Sequence, residues 1–387
     1  MPRRPLTVSL LIACALALVC AVSATARSVD DPAGFLPSNA QLASERAGFL
    51  STAKQAVRAA RSHWLDSRRR WYDDRLHDGD RYPLATIWSI VPLFETIDGI
   101  AIAQPSSANR SAVSAFAKKA ESYFDKALRP SGGYAPYPGD RGGHERAWFD
   151  DNGWWGLAFV DAYRATHNRR YLDDAGRALQ FISRRGWASS GGIWWDTSHS
   201  HKAGEALATG SALAARLYEF THRSSYLSLA RKFINWGDDH MWNSRAGLYS
   251  QTDRSPSPIS YVEGPMIGAH AILCRVAGDR NACDKAEQLA QAALAHFGND
   301  LNHGPQYDAI YLHWMLELSR QDGNRSWYGL AYHNARRLLS SARDSRGLFL
   351  RAWDGGSMTR HDARPGMIQT HAASASVLAW LAAIPAP

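Results

Sequence analysis

Cysteine is scarce in this 387-residue chain, with four in all. Two of them, Cys14 and Cys20, lie in the apolar N-terminal stretch, which leaves Cys274 and Cys283 either side of a predicted turn, Gly278-Asp279-Arg280-Asn281. Neither suggests a nucleophile. An oxidising compartment would permit a disulfide across the turn, with buried free thiols as the alternative. No zinc-protease spacing and no four-ligand set accompanies the His199/His201 pair, so no metal is expected. A phosphate loop and a dinucleotide fingerprint are also missing, and no cofactor is expected. Dense basic runs with interleaved aromatics are absent, which argues against nucleic acid. There is no second long apolar run after the N-terminus, so stable membrane insertion of the mature chain is not expected.

What is there begins with a leader. Arg3 and Arg4 precede an apolar stretch from Leu6 to Val22, and Ala24-Thr25-Ala26 supplies small residues for cleavage. Residues 1–26 therefore read as a secretory signal, too short in its apolar part for a membrane anchor. Its removal takes away two arginines and no acid, which lowers the formal charge from +8 to +6. The mature protein is expected to be exported, periplasmic or extracellular, and monomeric. Residues 27–39 read as a linker, and residues 40–387 as one domain.

Apolar residues then recur at helical spacing almost to the end. The pattern predicts twelve helices: 40–65, 83–103, 109–128, 152–166, 170–184, 204–221, 225–241, 261–277, 281–297, 307–321, 325–342 and 367–383. Short extended pieces are expected at Gly192-Ile193-Trp194-Trp195 and Gly347-Leu348-Phe349-Leu350-Arg351. The helices pair with similar turns. Arg164-Ala165-Thr166-His167-Asn168-Arg169-Arg170-Tyr171 aligns with Glu219-Phe220-Thr221-His222-Arg223-Ser224-Ser225-Tyr226, and comparable turns follow at 276–281 and 320–325. A repeat of this kind marks stacked helical hairpins. Turns after helices four, six, eight and ten are short, whereas the loops before the even helices are long and rich in Gly, Pro, Trp and His. Six hairpins closed into a ring would gather the long loops at one end. Functional residues then belong at the N-termini of the even helices.

The residues at those starts fit that demand. Helix four opens in Trp148-Phe149-Asp150-Asp151-Asn152-Gly153-Trp154-Trp155, where two adjacent carboxylates stand between indoles. An Asp pair alone is also a common helix cap, and four other Asp-Asp pairs occur in the chain. The flanking indoles shift the reading towards a sugar, which offers C–H faces to stack and C–O bonds to cleave. Trp148, Tyr134, Trp194 and Trp195 are candidates to stack sugar rings, with core packing the alternative for each. Tyr261, Glu263, Tyr307 and Asp308 are candidates to bond hydroxyls, although Glu263 and Asp308 could equally cap their helices. Neighbouring Cα atoms lie about 3.8 Å apart, so diverging Asp150 and Asp151 side chains could span the roughly 5–5.5 Å of a retaining glycosidase.

Together these residues resemble glycoside hydrolase family 76, the endo-α-1,6-mannanases and their relatives. The signature is carried by Trp148 to Trp155, with support from Gly191-Gly192-Ile193-Trp194-Trp195, Lys202, Tyr261-Val262-Glu263-Gly264 and Gln369-Thr370-His371-Ala372-Ala373. The resemblance implies an all-α, (α/α)6 barrel and a retaining hydrolase acting on α-mannan. By the same carry-over Asp150 would be the nucleophile, Asp151 the general acid/base, and Lys202 a substrate-binding residue. Phe149 stands where the family often has Tyr, and Ala203-Gly204 replaces the usual Asn-Ala. Alternatives are a transglycosylase using the same pair, an inactive glycan-binding envelope protein, and another helical-barrel chemistry such as sugar epimerisation.

Overall fold

The computed structural model describes residues 30–76, 83–143, 146–356 and 366–387; the expected signal segment 1–26 lies outside them. Twelve α-helices are found among the described residues: α1 (Asn39–His63), α2 (Ile87–Ala103), α3 (Ser107–Ala120), α4 (Phe149–Thr166), α5 (Arg170–Phe181), α6 (Gly204–Thr221), α7 (Ser224–His240), α8 (Ser260–Ala277), α9 (Arg280–Phe297), α10 (Pro305–Asp322), α11 (Arg325–Ser341) and α12 (Ile368–Ala383). The even helices pack side by side in chain order, and α12 closes on α2. The odd helices lie outside them. This is the expected all-α barrel of six hairpins.

Burial separates the two rings. The inner helices are buried almost all round; every residue of α6 from Gly204 to Leu217 is covered. Outer helices such as α5 and α9 bury one stripe, as helices facing solvent on one side must. The short turns end the inner helices by one device. His167, His222, Gly278 and Gly323 each follow an inner helix in the left-handed region, which lets the chain reverse at once. The Thr before each histidine accepts a hydrogen bond from the residue after it, at 3.2 Å for Thr166 and 3.4 Å for Thr221. The repeated turns of the sequence are therefore one repeated cap. Across the turn between α8 and α9, Cys274 and Cys283 form a disulfide.

Two expected helices end early. The first stops at His63 and the third at Ala120, and each leads into a two-residue ladder: β1 (Leu65–Asp66) with β2 (Trp71–Tyr72), and β3 (Phe124–Asp125) with β4 (Gly133–Tyr134). A third ladder, β5 (Trp242–Asn243) with β6 (Leu248–Tyr249), follows α7. These hairpins brace the long-loop end. Tyr123, between α3 and β3, is buried, donates to the Ala85 carbonyl at 2.5 Å and accepts from Trp71 Nε1 at 2.7 Å. The extended pieces expected at 192–195 and 347–351 appear as isolated bridges, Trp194 to Lys202 and Arg343 to Phe349 among them. The stretch read as a linker lies against α11: Asp31 accepts from Ser326 Oγ at 2.6 Å, and Phe35 stacks on His333.

Inside the barrel, near the short turns, charged groups neutralise one another. Arg164 bridges Asp161 and Glu317 at 2.8 Å each, and Arg216 reaches Glu317 at 3.2 Å and Glu219 at 2.9 Å. Three guanidiniums, those of Arg164, Arg216 and Arg320, hold the Glu317 carboxyl well below its ordinary range against the opposing effect of burial.

Candidate active site

The start of α4 is pinned from two sides. Asn152 accepts from the Tyr134 N–H at 2.8 Å, and its amide donates to the carbonyls of Tyr134 and Trp148, each at 2.9 Å. On the other side, residues 147–149 run beside 195–197, with Phe149 N–H donating to Trp195 O and Thr197 N–H to Ala147 O, both at 2.9 Å. Trp148 caps the helix without a side-chain bond, and Asp150 and Asp151 fall in its first turn. The capping role open to an Asp pair is thus not the one these residues take.

The two carboxyls reach a cleft of about 320 Å³, lined by Thr86, Trp88, Trp148, Asp150, Asp151, Trp195, Tyr261 and Tyr307. Each Asp keeps only a sliver of surface, 8% for Asp150 and 6% for Asp151. Burial comes first in pushing both acids up. The Asp151 and Glu205 charges add to the effect on Asp150, raised well above the carboxylate range, while backbone N–H groups of the helix start oppose it. Asp151 is pushed up to about 7. Two acids so close titrate as a coupled unit.

Aromatic rings form the walls. Trp88, Tyr261 and Tyr307 make one group, with Tyr261 and Tyr307 centroids 4.7 Å apart and Trp88 5.7 Å and 6.0 Å from them. Trp148 and Trp195 meet edge to face at 6.3 Å on the other side. Between those two indoles sits the Arg146 guanidinium, 5.5 Å and 5.3 Å from the ring centroids. Its Nε donates to the fully buried Asp196 at 2.7 Å. Such a groove offers apolar ring faces around two acids, a surface suited to the C–H faces of sugars.

Of the residues singled out in the sequence, six meet in this cleft: Trp148, Asp150, Asp151, Trp195, Tyr261 and Tyr307. The others do not line it. Tyr134 is fully buried and donates to Glu121 at 2.9 Å, its ring packed on Phe124 and Phe159. It belongs to the core because the Asn152 clamp pulls its backbone inward. Glu263 is buried and accepts from the Tyr249 N–H at 2.9 Å. Asp308 takes the Ser260 hydroxyl at 3.1 Å and the His303 N–H at 2.8 Å, so it holds loops together. Trp194 stacks on His199, and Lys202 Nζ donates to Ser190 at 3.1 Å above the Trp236 ring. Successive residues of an extended strand point oppositely, and only Trp195 of the Trp194-Trp195 pair faces the cleft. His371, in the C-terminal signature, is buried and accepts from Phe349 N–H.

Trp88, Thr86 and Glu205 are the residues that site reasoning missed. With the second helix read from residue 83, Trp88 fell in mid-helix; the true start, capped by Thr86 at 3.2 Å from Ser89 N–H, puts it in the first turn. The rule that even-helix starts carry function would have found it. Glu205, in the first turn of α6, follows the same rule.

Solved structures of the same architecture carry mannan-active names. The chain is similar to the GH76 α-mannanase BT2949 of Bacteroides thetaiotaomicron, with a TM-score of 0.78, 20% identity, and coverage of 87% of this chain and 95% of that one. A family 76 mannosidase from Bacteroides thetaiotaomicron VPI-5482 gives 0.76 and 19%, covering 87% and 98%. An α-1,6-mannanase of a Salegentibacter species gives 0.71 and 18%, covering 86% and 99%. That structure is an inactive variant, two consecutive aspartates changed to asparagine, in complex with α-1,6-mannotriose. At such identities the likeness establishes the fold alone. No curated protein sequence matches. The profile described as glycosyl hydrolase family 76 matches residues 126–329, more than half of the sequence, and the chain belongs to that family of glycoside hydrolases.

Proposed function

We propose that the protein is an exported glycoside hydrolase that cleaves α-mannan within α-1,6-linked chains, with retention of configuration. The observation that carries this reading is the adjacent pair Asp150–Asp151 lining an aromatic-walled cleft, with burial raising both acids. A retaining cleavage needs one ionised and one protonated carboxyl. Following the family resemblance, Asp150 attacks the anomeric carbon while Asp151 gives its proton to the departing oxygen. In the free protein Asp150 is the more strongly raised acid, so the assignment rests on the resemblance and not on the order of the shifts. Asp151, now ionised, then takes a proton from water, whose oxygen releases the sugar from Asp150 with a second inversion. Trp88, Trp148, Trp195, Tyr261 and Tyr307 supply the faces against which mannosyl rings stack.

The linkage rests on the inactive Salegentibacter α-1,6-mannanase, whose two changed aspartates are consecutive as Asp150 and Asp151 are. Export is supported by the apolar N-terminal stretch and by the Cys274–Cys283 bridge, since disulfides persist in oxidising compartments. Incubation with a panel of α- and β-linked mannans and other polysaccharides tests the reading, with reducing ends and product anomer followed. Release of α-anomeric fragments from the α-1,6 chain is expected. Inverted products, or cleavage confined to another polymer, would overturn it.

A further inference from the structure

A third carboxyl stands behind the pair. Glu205 occupies the first turn of α6 and is 4% exposed. The helices bearing it and Asp150 are forced together one turn further on, where a side chain on Gly153 would run into Thr209. Glu205 Oε1 accepts the Tyr261 hydroxyl at 2.6 Å and the Gln251 amide at 3.2 Å. Its buried Oε2 has no hydrogen-bond partner among the described residues, and neither has Asp150 Oδ1. A buried charge acts on its neighbours more strongly than one in water, because the protein interior has the lower dielectric.

We propose that Glu205 is a positioning residue of this active site: it fixes the Tyr261 ring in the cleft wall and sets a third carboxylate behind the Asp150–Asp151 pair. The inference rests on the reading of that pair as the reacting groups. The field at Asp150 has few other sources. On its own helix stands Asp151; from α8 and α10 come the phenols of Tyr261 and Tyr307; from the adjoining loop comes Arg146, matched by Asp196. Burial raises Glu205 itself above the ordinary carboxylate range, and the Tyr261 and Gln251 hydrogen bonds and His201 on the far side oppose that rise. Among the described residues Glu205 is a charge outside the pair that acts on Asp150, and a like charge makes a neighbouring carboxyl harder to ionise.

Glu205→Gln keeps the shape and a carbonyl oxygen for Tyr261 while removing the charge. Its effect is read without substrate, by titrating the carboxyl ¹³C resonances that vanish in Asp150→Asn and Asp151→Asn. Loss of the charge is expected to lower the apparent pKa of the pair by about 0.5–1 unit, and the acid limb of the kcat/KM profile should move down with it. Tyr261→Phe removes the hydroxyl alone; it should raise KM for mannotetraose and move that limb little. A pair titration in Glu205→Gln identical to the wild type overturns the proposal, whatever the activity. A shifted titration in a protein that cleaves no α-mannan would instead uphold Glu205 and discard the mannanase reading. Thermal unfolding of Glu205→Gln identifies a folding defect, and Glu205→Asp, which retains the charge, must then leave the pair titration near the wild type.

Discussion

Gly153 of α4 and Thr209 of α6 meet with no room for a methyl group between them. That contact sets how closely the first turns of two inner helices approach, and so where Asp150 stands relative to Glu205. Gly153→Ala should push the helices apart and destabilise the protein by about 1–3 kcal/mol, the usual range for overpacking. Lower Tm together with lower kcat would bear this out; an unchanged Tm would mean that the helices have slack.

The acid pair makes the plainest prediction. Asp150→Asn and Asp151→Asn should each cut turnover by about 10³-fold or more while circular dichroism stays helical. Reducing-end assays on α-1,6-mannotetraose measure it. Near-normal rates in either variant would remove the pair from the chemistry.

Raised acids also carry a stability cost with a definite sign. Burial pushes the folded pKa of Asp151 up to about 7 from its ordinary value of 3.8, so the native state binds the extra proton between those values. Stability linked to this group is full below the unfolded value and is lost as pH rises through the folded one. Asp151→Asn should therefore raise stability at pH 8, by on the order of 2 kcal/mol. The gain should shrink to nothing near pH 3.5. Denaturant melts of both proteins across pH 3.5–8 give the answer, and a gain independent of pH would contradict the linkage.

Glu317 shows the opposite sign. Its pKa is depressed by Arg164, Arg216 and Arg320, so its contribution is present above the unfolded value and is lost as pH falls through the folded one. Glu317→Ala leaves the buried Arg164 and Arg216 without their shared partner and should cost about 3–5 kcal/mol at neutral pH. Urea melts at pH 7 test this, and a loss under 1 kcal/mol would show that water enters to solvate the arginines.

Trp88 and Trp194 divide the indoles between cleft and scaffold. Trp88→Ala should lower kcat/KM about tenfold, chiefly through KM, because a stacking face is lost. Trp194→Ala, whose ring rests on His199 outside the cleft, should leave kcat/KM within about twofold. Equal losses in both variants would mean that the groove extends further than the lining residues indicate.

Much of this protein was legible in one dimension. Helical periodicity gave α6 as 204–221, both ends as observed, because its Ala and Leu residues recur on every face between polar positions. The repeated turns gave four of the hairpins, since each encodes the same left-handed stop after an inner helix. The Asp150–Asp151 pair was visible because adjacent residues need no fold to bring them together. The aromatics were harder to assign. Tyr134, Trp148, Trp194 and Trp195 are alike as residue types, yet Tyr134 is fully buried, Trp194 leans on His199, and Trp148 and Trp195 face the cleft. Local spacing tells which side of an element is apolar; it does not tell whether that side meets the core or a groove. Trp88 from α2, Glu205 from α6 and Tyr261 from α8 are neighbours of the acids because the ring closes, and closure is decided by how all six inner helices pack at once.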